Sequence, residues 1–271
     1  MGELLTEALT APFPDVAPDE WRRALDEARD ALAASAARRG GGPWRVTAHG
    51  VRTAFDGGAG DAGRDAAFAW SARTARRAVG LAAVRALLAG EARTPAAAVR
   101  ARVAEASRLV REGAPLSSAP ATLDRWLATL SPAGRAAVGA EAVTWATRLW
   151  CGLDWDGLKG PVVIGRDHWW DSPHSPLLAL RSRAEVRTAT AHLVVLSGPR
   201  RDSVRSELAL VVLVESLRTR GDAPPGRVVG WWPESGRLVR IEPEPAVLAL
   251  GTAAVARVTG RGRPVAGRRA A

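Results

Sequence analysis

The sequence predicts an α/β protein on three observations. Up to about residue 150 apolar residues recur at helical spacing, and from Pro161 onward the chain is strand-rich. A long, mostly apolar helix pattern over 202–219 then falls between strands, as in folds that pack helices on a sheet. The 271 residues allow one large domain or two small ones, with ample material for a core. A composition of 47% hydrophobic and 24% charged residues excludes long disorder, collagen and disulfide scaffolds.

In chain order, the first 43 residues read as a helix with Asp19 at or near its N-cap. Trp21, Leu25, Ala28 and Leu32 form one face, and Gly40-Gly41-Gly42-Pro43 breaks it. This segment is expected to be a satellite or a lid. Partial alternation from Trp44 to Phe55 predicts one or two edge strands, followed by a Gly-rich loop over 57–63. Gly58, Gly60 and Gly63 have dinucleotide-binding spacing, but helices follow instead of a βαβ unit and Glu91 is misplaced, so that fingerprint is set aside.

Helices are predicted over 71–89, with Val79, Ala83 and Leu87 inward, and over 94–112, with Thr94 as N-cap and Pro95 in the first turn. Further helices cover 122–130 and 132–150. Strands follow at 161–170, 177–188 and 191–197, the last a continuous apolar run suited to burial on both faces. After the 202–219 helix, strands 227–232 and 237–241 flank the turn Pro233-Glu234-Ser235-Gly236. A helix over 244–258 precedes a Gly- and Arg-rich tail. The expected organisation is a helical segment 1–43, a helical region 44–130 with short edge strands, an α/β core 131–260 and a basic disordered tail 261–271.

The residues that usually carry chemistry are scarce. There are four His, one Cys (Cys151), one Lys (Lys159), and no Tyr, Asn or Gln. A single Cys excludes an intramolecular disulfide and cysteine-rich metal sites and suits a reducing cytoplasm. The N-terminus carries Glu3 and Glu7 where a secretory signal needs basic residues, and the longest apolar run, 208–214, is too short to span a bilayer. A cytoplasmic protein without a membrane partner is expected. The net charge of +10 is almost all arginine, a bias of GC-rich bacterial genomes, so the location of the charge is more informative than its sum. Residues 71–111 carry nine Arg against Glu91 and Glu105, whereas residues 1–70 are net acidic.

The second half runs helix, three strands, helix, strands, and several of its segments resemble the RecB-like branch of the PD-(D/E)XK nuclease superfamily. FAWSARTARRAVGLAAVRALLAG (68–90) is similar to the branch's opening helix. RSRAEVR (181–187) resembles the strand that ends in an apolar residue and Asp, and AHLVVLSG (191–198) the strand that ends in Asp-x-Lys. SELALVVLVESL (206–217) is similar to the helix that opens Gln-x-x-x-Tyr, and RVVGWWPESGRLV (227–239) to the hairpin after it. The resemblance spans about 68–241 and rests on pattern and order. It implies a nuclease-like core, a central mixed sheet flanked by helices, with a helical N-terminal region.

The family's reaction needs carboxylates holding Mg²⁺ and a Lys beside the attacking water. Carried over residue by residue, Glu185 takes the place of Asp, Leu196-Ser197-Gly198 that of Asp-x-Lys, Glu207 that of Gln and Val211 that of Tyr. The resemblance therefore implies a degenerate active site and a DNA-associated role in repair, recombination or defence, with DNA and a helicase or other DNA-processing protein as partners. Two alternatives stay open. One is an active Mg²⁺-dependent deoxyribonuclease with relocated ligands Glu185, Glu207 and Glu141, and with Arg200 or Arg201 in place of Lys. The other is a protein-interaction module without nucleic acid.

Other candidates come from the residues themselves. Arg73, Arg77 and Arg85, with Arg200 and Arg201, are candidates for phosphate contact. Asp167, His168, Asp171 and His174 have a spacing that suits a divalent metal. Trp169, Trp170, Trp231 and Trp232 are candidates for base stacking. His49 and His192 are assigned no role.

Overall fold

The computed structural model describes residues 2–12, 16–37, 44–56, 70–113, 119–158, 160–173, 178–219 and 223–261. The breaker 40–43, the glycines 58, 60 and 63, Lys159, His174 and the tail from 262 lie outside the described residues. The chain forms two compact units. Met1–Leu5 and Phe68–Trp155 make a helical unit, and Thr6–Ala67 with Asp156–Ala271 make an α/β unit. The α/β unit thus recruits residues 6–67 from the N-terminal region, while the helix expected at 132–150 joins the helical unit.

The helical unit contains α4 (Ala72–Leu88), α5 (Pro95–Arg111), α6 (Ala119–Thr129) and α7 (Pro132–Cys151). Each start has a local cause. Ser71 and Thr74 form a capping box on α4, the Thr94 hydroxyl accepts the Ala97 N–H, and Ser131 caps α7 ahead of Pro132. Helices α4 and α7 approach closely because Gly80 has no side chain: a Cβ there would stand 2.5 Å from the Trp145 ring.

The α/β unit is built on α8 (Val204–Arg218), which is buried on nearly every side. Against it pack α2 (Pro18–Ala37), α3 (Ala48–Phe55), α9 (Pro245–Arg261) and the strands of two sheets. In the larger sheet the order is β2 (Val163–Ile164), β5 (Val186–Arg187), β6 (Ala191–Val195), β7 (Arg227–Trp232), β8 (Arg237–Ile241). Strands β6 and β7 are parallel, joined through α8, and the other pairs are antiparallel. The smaller sheet has the order β1 (Trp44–Val46), β4 (Leu178–Ser182), β3 (His168–Asp171). Helix α1 (Gly2–Thr10) precedes both. No helix among the described residues is long and apolar enough to cross a membrane.

Four expectations are corrected. The run 161–170 is two strands, β2 and β3, in different sheets, because Gly165 turns the chain at φ +63° while its N–H bonds the Glu185 carbonyl. The run 177–188 also divides, into β4 and β5: alternation holds to Ser182 and then fails, Ala184 to Arg187 all being buried. Residues 48–55 form helix α3 rather than a strand, since Thr47 caps the Gly50 N–H and buried Gly50, Val51 and Ala54 share one helical face. Finally, α2 is neither satellite nor lid. Its face Trp21, Leu25, Ala28 and Leu32 joins the core with α8 and α9, and Asp19 lies near the N-cap, in the first turn, bonded to Arg22.

Trp21 is fully enclosed, so Trp21→Ala is expected to cost about 3–5 kcal/mol of unfolding free energy. Denaturant titration checks this, and a detachable α2 would lose far less.

Candidate functional site

Helix α8 has a sequence of apolar residues interrupted by Glu207 near its start and Glu215 near its end, and both carboxylates are buried. A carboxylate removed from water must be neutralised or hydrogen-bonded, and each glutamate has gathered its own partners.

Glu215 is the centre of a polar cluster drawn from both sheets. Ser182 on β4 donates to its Oε1 at 2.5 Å, and Nδ1 of His168 on β3 lies 2.8 and 3.0 Å from its two oxygens. Arg187 on β5 stands 3.5 Å from Oε1, and Arg218, one turn along α8, 3.2 Å from Oε2. Arg187 in turn donates to the Ser182 hydroxyl at 3.1 Å and to the Arg166 and Ala184 carbonyls. Directly opposite Arg187, on β6, is His192, which is 8% exposed. Its Nδ1 has no hydrogen-bond partner among the described residues.

The electrostatics follow from burial. Desolvation by itself would raise the Glu215 pKa, but the hydrogen bonds from Ser182 and His168 and the electrostatic interaction with His192 and Arg187 outweigh it and hold the carboxyl below its ordinary value. Burial is the main cause that lowers His168, against the pull of Glu215 and with help from Arg187 and Arg218. Burial also pushes the His192 imidazole down to about 4, opposed by Glu215 and assisted by Arg187 and His168.

Serine, histidine and a carboxylate thus meet in one place, but their order is wrong for nucleophilic catalysis. There the histidine stands between the hydroxyl and the acid. Here Glu215 stands between Ser182 and His168, and Ser182 is fully buried. The cluster joins two sheets to a helix, and its hydroxyl is enclosed in the core.

Each member of the sequence-derived catalytic set is engaged by partners of its own. Glu185 is 1% exposed, its Oε2 accepts the Val195 N–H at 2.8 Å, and Arg183 stands 3.4 Å from Oε1. Both oxygens of Glu207 bind Arg201 at 2.8 Å, and Ser203 adds a bond of 2.7 Å. Arg201 also donates to the Ser197 carbonyl, so this ion pair clamps the β6–α8 loop. Arg201 is thereby corrected as a free phosphate contact or a substitute for Lys, while Arg200 is exposed. Glu141 belongs to the helical unit, where it is exposed and pairs with Arg76 at 3.0 Å. These residues do not fit Mg²⁺, because the two buried carboxylates already face guanidinium groups, and a second cation beside each would be repelled.

The proposed metal cluster also disperses. Asp167 pairs with Arg181, His168 turns to Glu215, and Asp171 is exposed at the end of β3. Among the described residues no group of three or more His, Cys, Asp or Glu side chains is arranged to hold a metal ion. Of the basic candidates on α4, Arg73 and Arg85 are exposed and Arg77 is half-buried. At 3.6 residues per turn the three fall within an arc of about 120°. Three other arginines of the 71–111 stretch are matched by carboxylates: Arg76 by Glu141, Arg102 by Asp124 and Arg108 by Glu105.

Sequence reasoning passed over Glu215, His192 and Arg227. Arg227 is buried at the start of β7, bonds Glu242, and holds the carbonyls of Ala8, Ala11 and Pro12. A usable signal was present for all three, since each charged or titratable residue interrupts or borders an apolar run, where burial demands a partner. Compared with family models, curated proteins and solved structures, the chain finds no match.

The His192 environment sets a pH dependence. Its folded pKa lies below the unfolded value of about 6.5, so between pH 6.5 and 4 the unfolded chain takes up a proton that the folded chain refuses. Stability is expected to be full above pH 6.5 and to fall by about 3 kcal/mol as the pH drops to 4. His192→Leu should flatten this slope in thermal unfolding measured from pH 7 to 4.5. An unchanged slope would remove His192 as its source.

Proposed function

We propose that the chain is a RecB-like PD-(D/E)XK nuclease-fold protein that has lost its catalytic centre and serves a DNA-associated accessory role in repair, recombination or defence. Counting only the larger sheet, β2, β5 and β6 precede α8 and β7, with β3 and β4 of the smaller sheet inserted between β2 and β5, and β6 and β7 run parallel around α8, which supports the fold reading. It follows the helix, three strands, helix, strand order through which the sequence resembles that superfamily.

One observation carries the loss of catalysis: what stands where the family has Asp-x-Lys. Leu196 is 4% exposed, with its N–H bonded to the Trp231 carbonyl at 2.7 Å, so an apolar core side chain fills the metal-ligand position. Gly198, at the lysine position, has φ +78°, a conformation that a lysine rarely adopts. Three residues on, the Arg201–Glu207 clamp holds the loop. The site has been rebuilt for stability, with a hydrophobe, a glycine turn and an ion pair in place of a carboxylate and a lysine.

The exposed arginines of α4 supply the DNA-associated part of the reading, since clustered guanidinium groups attract phosphates and release counterions without regard to sequence. A helicase or another DNA-processing protein is the class of partner this role implies. A second reading, a protein-interaction module, is favoured by one feature. An open groove of about 440 Å³ between α5 and α7 is lined by Val99, Val103, Ala140 and Val143, with Arg100 and Arg135 beside them.

The purified protein is expected to leave single- and double-stranded DNA uncut in Mg²⁺ or Mn²⁺. Cleavage that disappears in Glu185→Ala would overturn the reading. DNA affinity is expected to fall with salt, and Arg73→Ala/Arg77→Ala/Arg85→Ala should flatten the plot of log affinity against log salt by roughly two units. Binding that ignores salt would favour the interaction module.

A further inference from the structure

Within the helical unit, α5 and α7 leave an open groove of about 440 Å³ between them. Its floor is apolar, made by Val99 and Val103 of α5 and Val143 of α7, and the small residues Ala104, Gly139 and Ala140 keep its walls low. On both helices the lining residues recur at intervals of three and four, so each wall is one face of a helix. At 1.5 Å per residue the α5 wall, from Ala96 to Ser107, runs about 17 Å, and the α7 wall, from Arg135 to Val143, about 12 Å. That is the length of two to three turns of another helix.

The charge around the groove has one sign. Arg100 and Arg135 line it, and Arg111 lies on the same side of α5. The carboxylates of α5, Glu105 and Glu112, fall on the opposite side of that helix, where both bind Arg108. Glu141 of α7 likewise lies away from the groove, paired with Arg76. Arg135 donates to the Ala128 and Leu130 carbonyls and Arg111 to that of Ser107, neutral partners that leave the guanidinium charge in place. Among the described residues no carboxylate lines the groove, and none forms an ion pair with these three arginines. Gly139 adds a second feature. Glycine weakens a helix, and Gly80 has its reason in the Trp145 ring against it, whereas nothing lies within 4 Å of where a Cβ of Gly139 would stand. No packing within the unit calls for a glycine there, but a close approach from outside would.

We propose that this groove is the docking site for an acidic amphipathic helix of a partner protein, with the partner's apolar stripe on the valines and its carboxylates toward Arg100, Arg111 and Arg135. The proposal rests on the interaction-module reading above and gives it a location and a class of partner. Apolar anchors at i, i+3, i+4 and i+7 of an incoming helix match a groove whose own walls have helical spacing. The missing Cβ of Gly139 lets the incoming backbone come close. Guanidinium groups of one sign at the rim select an acidic helix and repel a basic one. Nucleic acid fits this surface less well, because a phosphate backbone gains nothing from a valine floor and no aromatic ring lines the groove to stack a base.

The test measures binding of a fluorescent synthetic peptide of about 14 residues, with Leu and Ala on one helical face and Glu on its flanks, and of a second peptide in which Lys replaces every Glu. The wild-type chain should bind the Glu peptide and not the Lys peptide, and the bound peptide should gain helical circular dichroism. Gly139→Leu fills the groove and should weaken the Glu peptide roughly tenfold. The same variant should melt at or above the wild-type temperature, because leucine is the better helix former and its Cβ meets open space. Arg100→Glu should weaken the Glu peptide and admit the Lys peptide, an exchange that a purely structural role of Arg100 does not produce. DNA affinity should be the same in wild type and Gly139→Leu. Equal affinity of wild type and Gly139→Leu for the Glu peptide would overturn the groove as the site while leaving an interaction module in place. Equal binding of the two peptides by the wild-type chain would overturn the acidic partner. A loss of DNA affinity in Gly139→Leu would assign the groove to nucleic acid and overturn the proposal. If the wild-type chain binds neither peptide, the docking site falls, and the interaction-module reading loses the feature that favours it.

Discussion

Helix α8 is buried along almost its whole length, and a helix in that position cannot leave a charge unanswered. Two glutamates of its fifteen residues are enclosed, and the desolvation of each is offset only by bonds that other parts of the α/β unit supply. Glu207 binds Arg201 and Ser203 and so sets the path of the chain from β6 into the helix. Glu215 binds Ser182 and His168 and stands beside Arg187, and so fixes β3, β4 and β5 against the helix end. Removing one member of such a group leaves its partner buried without compensation, which costs more than the pair itself contributes.

The same requirement accounts for the division into two sheets. The chain leaves the larger sheet at Gly165, enters the smaller one at His168, and returns after Ser182, so that both flanks of Glu215 are lined. His168 and Ser182 are paired in register across β3 and β4, which delivers both side chains to the carboxylate from one face of the sheet. On the opposite face the same alternation brings Trp169 beside Arg181. The inner polar cluster and the outer aromatic surface are thus consequences of a single strand register.

The β6–α8 turn is built for packing and charge balance. Metal-dependent hydrolysis needs carboxylates with open coordination positions and low local positive charge. Here the carboxylates lie beneath guanidinium groups, the strand ends in a buried leucine, and the turn is made by a glycine in a left-handed conformation. Each feature adds packing or neutralises charge in the folded state.

Much of the architecture was legible in the residues themselves. Helical periodicity, capping residues and prolines located α4, α5, α7, α8 and α9 within a few positions, because those signals act through the local backbone. The buried strand β6, its parallel crossover to β7 and the β7–β8 hairpin were also visible in the apolar runs and in the turn Pro233–Gly236. Of the candidate site, the absence of a carboxylate and a lysine from Leu196-Ser197-Gly198 could be read directly. Tertiary structure alone decided the rest. Whether 161–170 is one strand or two depends on the left-handed turn at Gly165, and whether α2 is peripheral depends on the surface that receives Trp21. The meeting of His168, Ser182, Arg187 and His192 around Glu215 joins residues up to 47 positions apart along the chain. No local pattern encodes such a meeting, because what selects it is the cost of leaving a buried carboxylate without partners, and that cost exists only once the helix is enclosed.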